Sequence, residues 1–309
     1  MPRHALVATM RNEGPFLIEW VAYHRLIGFD EILVCTNDCV DGSPDLLDVL
    51  QDRGLVRHLR CTPAPGEKAQ IVAYAAAERV LAADWPDVLM VLDADEFLNV
   101  HVGDRRLADL LAAVPDATAV LVNWRIFGSA GHPDWSPRPV TGRFTRAARR
   151  DSGVNWPFKT LFRNPQAYHC PLLPHGPGFA RDGWPGLLRA VDGGGAVLPD
   201  RYARADTFLQ SEPGTVSWRL AQVNHYNTRS RADYLAKHHR GGGQGPGRWD
   251  RDANWVVFDR NEEEDRTIRH WTPALEEAMA ALLAHAPVRA AHDRCCLLYR
   301  RHLAALAAA

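Results

Sequence analysis

Val88-Leu89-Met90-Val91-Leu92-Asp93-Ala94-Asp95-Glu96-Phe97 decides the architecture of this chain. Val88 to Leu92 is apolar at every position, the pattern of a strand buried on both faces, as at the centre of a parallel sheet. The run then breaks without a spacer into three carboxylates within four residues. In open α/β sheets ligands gather at the carboxyl ends of the strands, so the acidic turn falls where chemistry is expected.

Working outward, the first third alternates short apolar runs with helical patterns, the signature of βα units. Strands are expected at Ala5 to Thr9, Glu31 to Thr36 and Val56 to Cys61. Helices are expected at Pro15 to Leu26, stopped by Gly28; at Pro44 to Arg53, with Ser43 as N-cap and Gly54 beyond; and at Lys68 to Ala83. Beyond a further strand at Ala119 to Val122 the texture changes. Pro and Gly become dense and eight of the ten tryptophans fall there, which predicts loops or antiparallel strands. Ser230 to His239 reads as a helix, and Pro273 to Ala309 as a closing helical hairpin interrupted at Pro287. The organisation expected is a βα half on a largely parallel sheet over 1–122, a loop-rich or antiparallel half over 123–260 and a helical segment over 261–309.

Composition narrows the function. The 309 residues are 46% apolar and 24% charged, which excludes intrinsic disorder. With 36 basic and 37 acidic side chains the net charge is -1, so no global basic field exists to gather a nucleic acid. No apolar run is long enough for a transmembrane helix and the opening residues do not read as a signal peptide, so the cytoplasm is expected. The six cysteines, at 35, 39, 61, 170, 295 and 296, lack zinc-finger spacing and read as small buried side chains without disulfides.

Three adjacent carboxylates need a cation or strong donors to offset their repulsion. If the backbone stays extended, Asp93 and Asp95 project to the same side. Two such oxygens suit Mg2+ or Mn2+ beside a substrate diphosphate, whose departure the ion would assist. As caps or turn acceptors the same aspartates would bind no metal. The P-loop pattern and G-x-G-x-x-G are both absent. Lys159, inside an apolar strand, wants a phosphate or carboxylate partner. Lys237, Arg240 and Arg248 flank a glycine-rich run, Gly241 to Gly247, that is either a lid over a diphosphate or a surface linker. Trp124, Trp156 and Trp184 are candidates for stacking on an acceptor sugar or for core packing.

Met10 to Trp20, Tyr23-His24, Gly28-Phe29-Asp30, Asn37-Asp38 and Asp41-Gly42-Ser43 together resemble the opening of the family 2-like glycosyltransferases, and Leu92 to Phe97 resembles their D-x-D element. The likeness resumes at Trp124 to Gly128, Lys159 to Arg163 and Val223 to Tyr226 with Lys237 and Arg240-Gly241, spanning roughly residues 5 to 260. The resemblance implies a GT-A fold, with a Rossmann-like nucleotide-binding half over 1–122 and an acceptor-binding, metal-completing half over 123–260, and a metal-dependent, inverting transfer from a nucleotide-diphosphate sugar to a saccharide acceptor, in surface or capsular polysaccharide synthesis. It implies that Arg11, Asn12, Glu13, Asn37 and Asp38 lie against base and ribose, that Asp93 faces ribose or metal, and that Asp95 is the principal ligand. It also implies that His225 completes the metal shell; a histidine packed in a strand is the alternative reading, and His175 is a rival ligand. An inverting transfer needs a carboxylate base, for which Glu96, Asp182, Asp192 and Glu212 are candidates. Two other functions fit the D-x-D: an aspartate-dependent phosphohydrolase or phosphotransferase, and a non-catalytic carbohydrate-binding protein.

Overall fold

A computed structural model describes residues 2–204, 210–212, 214–240 and 251–308. The strands are β1 His4–Met10, β2 Glu31–Thr36, β3 Arg57–Arg60, β4 Val88–Val91, β5 Glu96–Val100, β6 Ala119–Ile126, β7 Arg146–Ala147, β8 Phe158–Arg163, β9 Ala190–Asp192, β10 Ala221–His225 and β11 Glu263–Glu264. Among the described residues, nine of them form one mixed sheet in the order β3-β2-β1-β4-β8-β6-β10-β5, with β9 beside the start of β6. β3, β2, β1 and β4 run parallel, so Met10, Thr36 and Val91 end at one edge. β8 then runs antiparallel to β4 and to β6, and β5 antiparallel to β10.

The period of two along each strand divides the interior. Leu6, Ala8, Val34 and Met90 face one core, shared with helices α1 (Leu17–Ile27) and α2 (Ser43–Asp52). Ala5, Val7, Leu33 and Leu89 face a second, shared with α3 (Ala69–Leu81) and the loop-rich segments after β8. Shorter helices follow: α4 (Leu107–Ala113), α5 (Val140–Arg143) and α6 (Arg201–Arg204). Then come α7 (Arg231–Arg240), α8 (Arg251–Phe258), α9 (Thr272–Leu283) and α10 (Ala286–Ala307). A Rossmann-like parallel half, a mixed and loop-rich half and C-terminal helices are therefore all present, as expected.

Several local expectations change. Ser43 lies inside α2 instead of capping it, because the Asp41 carboxylate takes the Ser43 N–H at 3.0 Å and its hydroxyl at 2.5 Å, and the cap position passes to Gly42 at φ 82°. The terminal helical pattern does break next to Pro287, into α9 and α10, but the break falls at 284–285; Pro287 itself stands in the first turn of α10, where its missing N–H costs nothing. Cys35, Cys295 and Cys296 are buried and no disulfide forms among the described residues, but Cys170 is exposed. No helix among the described residues is long and apolar enough to cross a membrane.

α10 closes the first core by pressing Cys295 against Gly14, at the entry to α1. A methyl group added at Gly14 would meet Cys295 Cβ and Sγ at 2.7 Å and Asp41 at 2.9 Å. Gly14→Ala is therefore expected to destabilise the fold by about 1–3 kcal/mol through overpacking, read as a lower urea midpoint with unchanged slope.

Candidate active site

The backbone does not stay extended through the acidic turn. Glu96 N–H bonds to the Asp93 carbonyl at 3.0 Å, closing a turn over Ala94 and Asp95, and Glu96 then opens β5. Asp93 and Asp95 consequently point to different partners, which corrects the expectation that they share one side. The Trp20 indole of α1 fixes the turn from beneath, donating to the carbonyls of Glu96 at 3.0 Å and Asp93 at 3.2 Å.

Strand register brings the cations. β8 pairs Leu161 with Met90, so Lys159, two residues nearer its start, arrives where β4 gives way to Asp93. Its ammonium is buried, 2.8 Å from Asp93 Oδ2 and 3.0 Å from Glu96 Oε2. The anionic partner expected for Lys159 is thus carboxylate. Burial alone would lower its pKa, but Asp93 and Glu96 hold it above the ordinary lysine value. Burial raises the Glu96 carboxyl above 4.5, against the pull of Lys159.

β10 pairs with β5 so that His225 stands directly opposite Glu96. His225 Nε2 lies 3.7 Å from Asp95 Oδ2, and Nδ1 lies 3.8 Å from Glu96 Oε1. Both Nδ1 and Oε1 are buried without a hydrogen-bond partner. The Trp124 ring packs edge-on to His225 at 4.4 Å. His175 instead bonds the Phe158 carbonyl at 2.9 Å, and burial pushes its pKa down to about 4.

α7 supplies the rest. Ser230 caps it, accepting the Asp233 N–H at 3.1 Å, and Lys237 and Arg240 stand one turn apart on one face. Lys237 Nζ reaches Asp95 Oδ2 at 2.5 Å and Asn227 Oδ1 at 2.8 Å. Arg240 donates to Glu13 and to the carbonyls of Arg11 and Asn12. Burial would raise the Asp95 carboxyl, yet Lys237, His225 and Arg229 together hold it well below 3.8.

Arg229 and Asn227 escaped the sequence reading. Arg229 is buried, donates to Glu13 Oε2 at 2.8 Å and to the Ala94 carbonyl at 3.1 Å, and lies 3.7 Å over the Phe16 ring. It ties the loop after β1 to the acidic turn. The available signal was its place just past the buried strand ending Asn224-His225-Tyr226, on the same run as a candidate ligand. Its φ is 50°; Asn12 at 55° and Asp38 at 47° share this left-handed conformation in the loops after β1 and β2.

Other expected residues are more dispersed. Arg11 and Asp38 are exposed and Asn37 half-buried at the parallel strand ends, where Asn37 donates to Asp38 at 3.0 Å. Trp156 and Trp184 are half-buried, and Trp184 packs against the second core. Of the four base candidates, Glu96 is fully buried in the cluster. Asp192 accepts the N–H groups of Gly194 and Ala196 in its own turn. Asp182 and Glu212 are exposed, and Glu212 pairs with Arg201 at 2.6 Å. Arg248 and the glycines 241–247 lie outside the described residues.

Among the described residues no three His, Cys, Asp or Glu side chains gather around one ion position. Asp93 is turned to Lys159 and is not brought together with Asp95 and His225. The latter two face each other as a carboxylate oxygen and an imidazole nitrogen 3.7 Å apart, with the Lys237 ammonium on the same Asp95 oxygen.

No protein-family model matches this chain, and no curated protein matches it. Solved structures do. S. aureus TarS aligns with TM-score 0.33 and 11% identity over 53% of this chain and 28% of TarS. HddC from Yersinia pseudotuberculosis aligns with TM-score 0.33 and 11% identity over 62% and 90%. Glucosyl-3-phosphoglycerate synthase from Mycobacterium tuberculosis, solved with Mn2+, uridine diphosphate and glucosyl-3-phosphoglycerate, aligns with TM-score 0.27 and 18% identity over 40% and 44%. The chain thus spans less than half the length of TarS, and at these scores the alignments carry no argument about its chemistry.

Lys159→Met should leave Glu96 buried without its cation, at a cost of about 3–5 kcal/mol near neutral pH. Below the unfolded value of 4.5 Glu96 is protonated in both states and the cost is absent; as pH rises past that value the fold must ionise it and the deficit grows. Urea midpoints of variant and wild type are therefore expected to lie closer at pH 5 than at pH 8.

Proposed function

We propose that this chain is a glycosyltransferase of the GT-A type, moving a sugar from a nucleotide-diphosphate sugar to a saccharide acceptor. One observation carries the reading: Lys237 and Arg240, on one face of α7, end on two different carboxylates, Asp95 and Glu13, at the carboxyl edge of the parallel strands. A diphosphate entering there would meet two cations that already point at it and a third, Arg229, fixed behind them. Cations placed before the reaction stabilise the negative charge that develops on a leaving diphosphate without reorganising at that moment. A divalent ion held by Asp95 and His225 would supply further Lewis-acid stabilisation of the same charge.

In this reading the protein side chains divide the work. Arg11, Asn12, Asn37 and Asp38, at the ends of β1 and β2, hold the nucleoside. Glu13 positions Arg229 and Arg240. Lys159 joins Asp93 and Glu96 through one buried ammonium. Glu96 acts as a positioning residue, since its Oε1 faces His225 Nδ1 and a small approach would set the imidazole with Nε2 toward Asp95. Trp124, packed edge-on to His225, forms the adjoining wall on which an acceptor sugar ring would lie.

Thermal unfolding with uridine, guanosine or cytidine diphosphate, with and without Mn2+, tests the proposal. At least one nucleotide is expected to raise Tm, more so with Mn2+, and Asp95→Asn and Lys237→Ala are expected to erase the shift. Transfer from the matching nucleotide sugar should fall at least about 100-fold in Asp95→Asn. A protein that ignores all three nucleotides but is stabilised by glycans alone would overturn it.

A further inference from the structure

The outer face of α10 has a pattern that neither the cleft nor the core explains. Val288, Cys295 and Tyr299 are buried on its inner side. Turned away from them, Ala290, Leu297 and Ala304 recur every seven residues and form one exposed ridge, with Leu297 46% exposed. At 3.6 residues per turn, Arg289 and Arg300 fall on one flank of that ridge and Arg294 and Arg301 on the other. All four arginines are exposed. The helix holds four arginines and one acidic residue, Asp293, in a chain whose net charge is -1.

Little in the fold uses these charges. Among the described residues, Arg294 reaches Asp45 only at 3.7 Å, with both side chains more than half exposed. Arg300 lies over Trp135 at 5.2 Å. No ion pair is found for Arg289 or Arg301 among the described residues. Val40, 80% exposed, adds an apolar side chain beside Leu298, on the rim of the cleft that also holds Lys237 and Arg240.

We propose that the outer face of α10 docks this protein on a membrane surface rich in anionic phospholipid headgroups. An apolar ridge between two rows of arginines is the pattern of a helix lying in the interface plane: the arginines meet phosphates while the ridge enters the headgroup zone. Charge complementarity selects this occupant over a second copy of the chain, because a two-fold pairing of the same face would set arginines against arginines. The cleft is walled by the opposite side of the same helix, through Leu298, Tyr299 and His302, so docking by the outer face leaves those cleft residues uncovered.

Co-sedimentation of the full chain with vesicles tests the proposal. Partitioning onto phosphatidylglycerol–phosphatidylcholine vesicles is expected to exceed that onto phosphatidylcholine alone at least tenfold, and to fall as salt is raised. Arg294→Glu with Arg301→Glu should cut it at least tenfold while Tm and circular dichroism stay unchanged, both positions being exposed; Leu297→Asp serves as a second variant expected to weaken it in the same way. Equal partitioning on both vesicles, none on either, or no change in the variants would overturn the proposal. So would a concentration-dependent dimer that these substitutions abolish.

Discussion

A single buried ammonium makes the acidic turn possible. Lys159, the second residue of β8, stands between Asp93 and Glu96, and without it two carboxylates would be held at the sheet edge with their repulsion uncompensated. The same constraint repeats outward: Asp95 requires Lys237, and Glu13 requires Arg229 and Arg240. Each pair links a parallel strand end to an element of the later half, so charge compensation is also what holds the two halves in register at the cleft. The desolvation of these groups is tolerable only because each has a partner, and removing one side leaves a buried charge, not merely a lost contact.

Beneath the cleft, β10 carries this arrangement on a polar floor. Gln222 donates to Asn224 at 2.8 Å and to Asp265 at 3.0 Å, while Asn224 donates to the Tyr226 hydroxyl at 3.1 Å. Arg125 of β6, buried, joins Glu263 at 2.7 Å and Asp265 at 3.4 Å. This network lies under the strand that presents His225, with Gln222 Oε1 a buried acceptor left without a partner among the described residues. The rigidity sits on strands; the cations that would meet a ligand sit on α7, at the end of long side chains.

How much of this was written in the sequence depends on whether the signal was local. β1, β2, β4 and the helices between them follow from periodicity and stop signals, because each buries its own pattern. β8 and β10 were harder, since their polar residues, Lys159, Gln222, Asn224 and His225, are explained only by neighbours far along the chain. The D-x-D was legible as an acidic turn at the strand ends; its geometry was not, because a turn closed by Glu96 N–H replaces the extended backbone that would have aligned Asp93 with Asp95. Ser43 shows the same lesson at small scale, where an adjacent carboxylate outcompeted the hydroxyl as a cap. Arg229 was illegible because its partners, Glu13 and the Ala94 carbonyl, lie more than a hundred residues away.

Asn12, Asp38 and Arg229 share a left-handed backbone in three loops that frame the cleft, and this limits what the site can become. Such a φ costs an ordinary residue about 1–2 kcal/mol and is nearly free only for glycine. Branched side chains are shut out at these three points whatever they might offer a ligand. Any change in what this cleft binds must therefore come from side chains grafted onto a fixed set of bends, or from asparagine, aspartate and glycine exchanging places.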